Sequence, residues 1–104
     1  MEHDTETVKR VEQLENPQLK IDIEPIKLML TSNPYVVFSK RGYQVVIDVM
    51  DLKKKRQHFI YISSFSLSQQ IENLRLENGG AFIGIEFWIW KAGPEKFSKY
   101  IVEE

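Results

Sequence analysis

The chain has 104 residues, 42% hydrophobic, 12% aromatic and 28% charged, with a formal net charge of −1, which is one domain's length with material for a modest core. That balance excludes a disordered polymer and a protein that coats nucleic acid by bulk positive charge. The absence of cysteine excludes a disulfide framework, a thiolate metal site and a cysteine nucleophile.

Residues 1–19 form a polar segment that reads either as a short amphipathic helix or as a flexible arm. Asp4 can cap such a helix, Val8, Val11 and Leu14 recur at helical spacing, and Asn16-Pro17 ends it, but a helix this short is marginal on its own. The segment holds five acids (Glu2, Asp4, Glu6, Glu12, Glu15) against Lys9 and Arg10, so residues 20–104 carry twelve basic and ten acidic groups. From Lys20 the period changes from 3.6 to 2: Ile21, Ile23, then Ile26, Leu28 and Leu30 alternate with Asp22, Glu24, Lys27 and Met29, which predicts a strand broken at Pro25. The run Tyr35–Phe38 extends it after Ser32-Asn33-Pro34. Ser39–Gly42 supplies a turn before a second strand, Tyr43–Met50, and the polar stretch Asp51–Gln57 leads to a third, His58–Ser63.

Ser66 opens a predicted helix, with Gln69 three residues on as in a capping box, Leu67, Ile71 and Leu74 on one face, and Asn78-Gly79-Gly80 as its stop. Ala81–Lys91 is the most apolar strand, and Ala92-Gly93-Pro94 separates it from a last short strand at Lys99–Val102.

The fourth strand presents Ala81, Ile83, Ile85, Phe87 and Ile89 on one side and Phe82, Gly84, Glu86, Trp88 and Trp90 on the other. The uninterrupted apolar set is the better interior, because a core offers Glu86 no partner. Trp88 and Trp90 then project outward, either to a binding partner or beneath the N-terminal segment. In the third strand Ile60 and Ile62 alternate with Phe59 and Tyr61. If the isoleucines are core, Phe59 and Tyr61 face out and are available for stacking; if not, they are core themselves.

The pattern VVIDVMDLKKKRQHFIYIS, then a helix, then NGGAFIGIEFWIW, then KYIVEE resembles the OB-fold domains of single-strand-binding and replication proteins over residues 20–104, in strand order and not in any diagnostic motif. The resemblance implies a mainly β fold, a five-stranded barrel with one α-helix between strands 3 and 4. It also implies single-stranded nucleic acid as ligand, in a replication or repair accessory role. Phe59, Tyr61, Trp88 and Trp90 would stack on bases, and Lys40, Arg41, Lys53, Lys54, Lys55, Arg56 and Lys91 would hold phosphates. Lys96 and Lys99 add charge near the last turn, while the small basic excess departs from the strongly basic groove of a stand-alone binder.

A second function class is a protein-interaction subunit or homo-oligomer, with Val8, Val11, Leu14, Trp88 and Trp90 at the interface. An enzyme is not expected: His3 and His58 lie far apart, Asp48 and Asp51 fall on opposite faces of a strand, and there is no phosphate-binding loop or metal-binding motif. No cofactor or metal is implied. No apolar run approaches the ~18 residues of a membrane span, and the polar, acidic N-terminus is unlike a signal peptide, so a cytoplasmic protein without a membrane partner is the expectation.

Overall fold

The computed structural model describes residues 8–104. It contains β1 (Lys9–Arg10), a 3-10 turn (Val11–Gln13), β2 (Ile26–Leu30), β3 (Tyr35–Ser39), β4 (Gly42–Asp51), β5 (Arg56–Tyr61), the helix α1 (Phe65–Glu77), β6 (Glu86–Lys91) and β7 (Tyr100–Glu103). All seven strands belong to one sheet, organised by the long β4. One edge of β4 pairs with β3 over residues 42–46 and then with β2 over 49–51, while β5 takes the other edge over 46–51. β2 continues to β6 and β6 to β7, all antiparallel, and β1 lies parallel to β3 at the opposite margin.

Alternation along these strands builds the main core. Leu28, Leu30, Ile47, Val49, Ile60, Ile85, Phe87 and Ile89 meet Leu67, Ile71 and Leu74 of α1, and all are buried. Burying each such side chain stabilises by about 1.5–3 kcal/mol relative to exposure. The other face of β3, β4 and β5 carries a second, smaller cluster of Val37, Val46 and Phe59, covered by Val11, Leu14, Tyr35 and Tyr61.

The fold is mainly β with one helix, as the sequence indicates, but the sheet has seven strands and is not closed into a barrel. Among the described residues no ladder joins β5 to β7. Two other groups occupy that gap. Residues 17–22 form an extended strap: Phe59 N donates to Pro17 O (3.1 Å), Leu19 N to Phe59 O (2.9 Å), and Lys91 N to Asp22 O (2.8 Å), so the strap ties β5 to the end of β6. The Gln70 amide of α1 serves the free edge of β7 as a strand would, donating to Tyr100 O (2.9 Å) and accepting from Val102 N (2.9 Å).

Local boundaries also shift. Residues 8–19 contain no α-helix: pairing of Lys9–Arg10 with β3 and of residues 17–19 with β5 satisfies the backbone in extended form, and only one 3-10 turn intervenes. The proposed cap at Asp4 lies outside the described residues. The expected first strand is divided, with 20–22 in the strap, 23–25 leading into β2, and β2 separated from β3 by residues 31–34. α1 begins before Ser66, because Ser64 Oγ accepts from Leu67 N at 3.2 Å, and Gln69 bonds to Asn73 instead of closing a capping box. The fourth expected strand starts only at Glu86, so Ala81 and Ile83 lie outside the core and Ile83 is exposed.

Candidate functional site

The two-residue turn Lys40-Arg41 links β3 to β4, with Gly42 at φ +96°, a left-handed conformation that favours glycine. Ser39 Oγ fixes the turn by accepting from Arg41 N and donating to Gly42 O, both at 3.1 Å. Both basic side chains are therefore held on a short, ordered loop at the rim of a groove.

That groove, about 820 Å³, opens above the gap between β5 and β7. Its wall includes Tyr61 of β5 and Tyr100 of β7, the strap lies along it, and Ser64 and Leu67 bring the start of α1 to its rim. Lys20, Lys40, Arg41, Lys91 and Lys96 line it against two acids, Glu12 and Asp22. Of these acids, Asp22 already uses Oδ1 to accept from Ile23 N (2.8 Å). The groove thus combines a local positive excess with two half-buried phenol rings, chemistry suited to a polyanion that carries flat, stackable groups.

The sequence-derived site residues divide among four places. Lys40, Arg41, Tyr61 and Lys91 converge on the groove. The basic turn Lys53–Arg56 stands at the other end of β4, about 30 Å along a ten-residue strand, so it does not join that constellation. Its geometry is that of a tight turn: Asp51, buried, accepts from Lys53 N (3.0 Å) and Lys54 N (3.1 Å) through Oδ1, and Lys55 sits at φ +56°.

Trp88 and Trp90 lie on neither of these. Trp88 faces outward on β6, 41% exposed, with Lys27 Nζ 5.8 Å from its ring and an ion pair from Lys27 to Glu86 alongside; Trp90 is half-buried. Neither lines the groove, and neither is among the residues that the N-terminal segment packs against.

Phe59 corrects the expectation most sharply. It is 4% exposed and packs edge-on to Tyr61 (ring centroids 5.5 Å apart) under Val11 and Leu14, so in this conformation it offers no face to a base. Val11 and Leu14, expected at a protein interface, are instead turned onto the sheet. Val8 and Leu14 wall a second cavity of about 620 Å³ that reaches Phe59, Tyr35 and Asp48. There Tyr35 Oη donates to Asp48 Oδ1 at 2.6 Å, and burial together with that carboxylate pushes the phenol's pKa well above its ordinary value.

Two groove residues escaped sequence reasoning. Lys20 sits where alternation suggested the start of a strand, and nothing local marks it as crossing the gap. Tyr100 was placed on the last strand, but its position at the groove depends on the gap that only the assembled sheet reveals. No protein-family model, curated protein or solved structure matches this chain. Among the described residues no helix is long and apolar enough to cross a membrane.

Proposed function

We propose that the chain is a non-catalytic binding module that takes single-stranded nucleic acid into the groove between β5 and β7. The observation that carries this reading is the convergence of Lys20, Lys40, Arg41, Lys91 and Lys96 with Tyr61 and Tyr100 around one groove from five separate stretches of chain. Phosphates pair with the basic side chains and bases stack on the phenol rings, an arrangement that tolerates any base because every base has a π-face. The strand order supports reading the sheet as an opened relative of the five-stranded OB barrel: β2 and β3 share one edge of β4 as a single bent strand would, and the strap stands where a closing ladder would run. The accessory role in replication or repair implied by the resemblance goes with this proposal.

Anisotropy of a fluorescein-labelled oligo(dT) titrated with the protein at 50 and 200 mM salt tests it. Micromolar binding that weakens steeply with salt, and that falls at least tenfold in the Lys40→Glu/Arg41→Glu variant, is the expected result. Binding that is absent at low salt, or indifferent to that double substitution, would refute the assignment. Intrinsic tryptophan emission is predicted to change little, since neither indole lines the groove.

The outward Trp88 favours a second reading, a protein-interaction face on the β2–β6–β7 side. Concentration-dependent sedimentation that Trp88→Ser abolishes would support a homo-oligomer over the groove reading.

A further inference from the structure

The N-terminal segment lies between the two cavities. Val11 and Glu12 line the groove, while Val8, Leu14 and Glu15 line the second cavity, and the two sides of this divider face neighbouring aromatics of β5: Tyr61 on the groove side, Phe59 on the other. Phe59 and Tyr61 are two apart on a strand and share one face, so they form one aromatic surface that residues 8–16 divide and half cover.

The cover is weakly held. No residue from Val8 to Asn16 is itself buried, although Val37, Val46 and Phe59 beneath are almost completely so. Among the described residues its attachments are the two-residue β1 pairing, the packing of Val11 and Leu14, and Arg10 over the Phe38 ring at 5.5 Å. Beside it a solvent-open cleft of about 620 Å³, lined by Val8, Leu14 and Glu15, runs in to Tyr35 and Phe59. Few buried contacts and exposed backbone bonds are the features of a segment that opens locally at low free energy. From Pro17 onward the chain is fastened to β5 on both sides of Gln18, so the segment has a fixed hinge at Asn16-Pro17. Its exposed Glu12 places negative charge on the basic groove.

We propose that residues 8–16 are an internal competitor of the groove's ligand: a displaceable cover whose departure merges the two cavities and exposes Phe59 as a further stacking surface beside Tyr61. This rests on the nucleic-acid reading and adds regulation of that site. In the closed form the ligand meets only part of its surface, so apparent affinity rises with the fraction of molecules that are open.

The test loosens the cover in the full chain without changing charge. Val11→Ser/Leu14→Ser is titrated against fluorescein-oligo(dT) beside the parent, with hydrogen exchange at residues 9–14 reporting release. The expected result is faster exchange at 9–14 and at least fivefold tighter binding, the lower end of what one added base stack contributes. Phe59→Leu, which keeps an apolar side chain but removes the ring, is expected to abolish that gain in the loosened chain. A loosened chain that exchanges faster yet binds no more tightly than a binding-competent parent overturns the cover and leaves the groove standing. A gain that survives Phe59→Leu also overturns it, because the exposed ring is then not the cause. Absence of binding in every form, at low salt, overturns the groove and the cover together.

Discussion

Val46 and Ile47, adjacent on β4 and pointing to opposite faces, are both fully buried, but by different means. On one face Ile47 and Val49 are sealed by β2, β6 and the Leu67–Ile71–Leu74 stripe of α1, each itself buried. On the other, Val46, with Val37 and Phe59 from its neighbours, is sealed by Val11 and Leu14, which are themselves half-exposed. Solvent exclusion measured at one residue therefore says little about how firmly its cover is fixed. The first face is a core; the second is a covered surface.

The contrast predicts unequal costs for truncation. Phe87→Ala, at a fully buried site in the main core, is expected to cost about 3–5 kcal/mol, a large share of the roughly 5–15 kcal/mol that holds a domain of this kind together. Leu14→Ala is expected to cost about 1 kcal/mol, because a half-exposed side chain forfeits only part of its transfer free energy. Urea denaturation of both variants checks this, and equal midpoints would erase the distinction between the two faces.

The free edge of β7 provides the next test. Gln70 satisfies Tyr100 O and Val102 N at once, so Gln70→Ala leaves two strand-edge groups without their partner, at about 1–3 kcal/mol. It also uncovers an edge able to pair with another chain. Lower stability joined to concentration-dependent association in sedimentation is the expected outcome. A variant that is destabilised but strictly monomeric would mean that Gln70 serves only folding.

On the covered face, Tyr35→Phe removes the hydrogen bond to Asp48 and is expected to cost about 1–2 kcal/mol at neutral pH. The tyrosine's pKa is raised in the folded state above its ordinary 10.0 by burial and by Asp48. The folded state therefore holds this proton more tightly than the unfolded one. Its contribution is complete below about pH 10 and declines as pH rises beyond that value. Thermal unfolding between pH 8 and 11.5 is expected to show the parent's advantage over the Phe variant shrinking at the alkaline end, and a constant difference would count against the coupling.

Much of the main core was legible because its elements are covered on one side. Into and along β6 the alternation of Ile85, Phe87 and Ile89 with Glu86 and Trp88 has one reading, since only one face is free of charge, and the helix stripe Leu67–Ile71–Leu74 is as plain. β5 was not legible for the opposite reason. Ile60 and Phe59 are both buried because the strand is covered on both faces, and a period-two pattern that is apolar on each side cannot say what covers which. The N-terminal segment was hidden differently: the helical spacing of Val8, Val11 and Leu14 is genuine, but a helix this short is marginal on its own, and pairing with β3 and β5 holds the backbone extended while Val11 and Leu14 still pack on the sheet. The basic residues were visible as residues and invisible as a site: Lys40-Arg41 and Lys53–Arg56 read alike along the chain, and only the length of β4 separates them.

That separation gives the smallest predicted effect and the cleanest one. Lys55 holds a left-handed backbone (φ +56°) in a turn otherwise fixed by Asp51, whose carbonyl accepts from Lys55 N at 2.6 Å. A side chain at such an angle is strained where glycine is not, so Lys55→Gly is expected to raise stability by about 0.5–1 kcal/mol, or a few degrees in Tm for a domain of this size. The substitution also removes a charge from the turn. If phosphates are held in the groove, oligonucleotide affinity should be unchanged within about twofold, since at most one distant charge is lost. A loss like that of the Lys40→Glu/Arg41→Glu variant would move the binding surface to the far end of β4, where Lys27 on the adjacent β2 and Trp88 beyond it on β6 would become its natural neighbours.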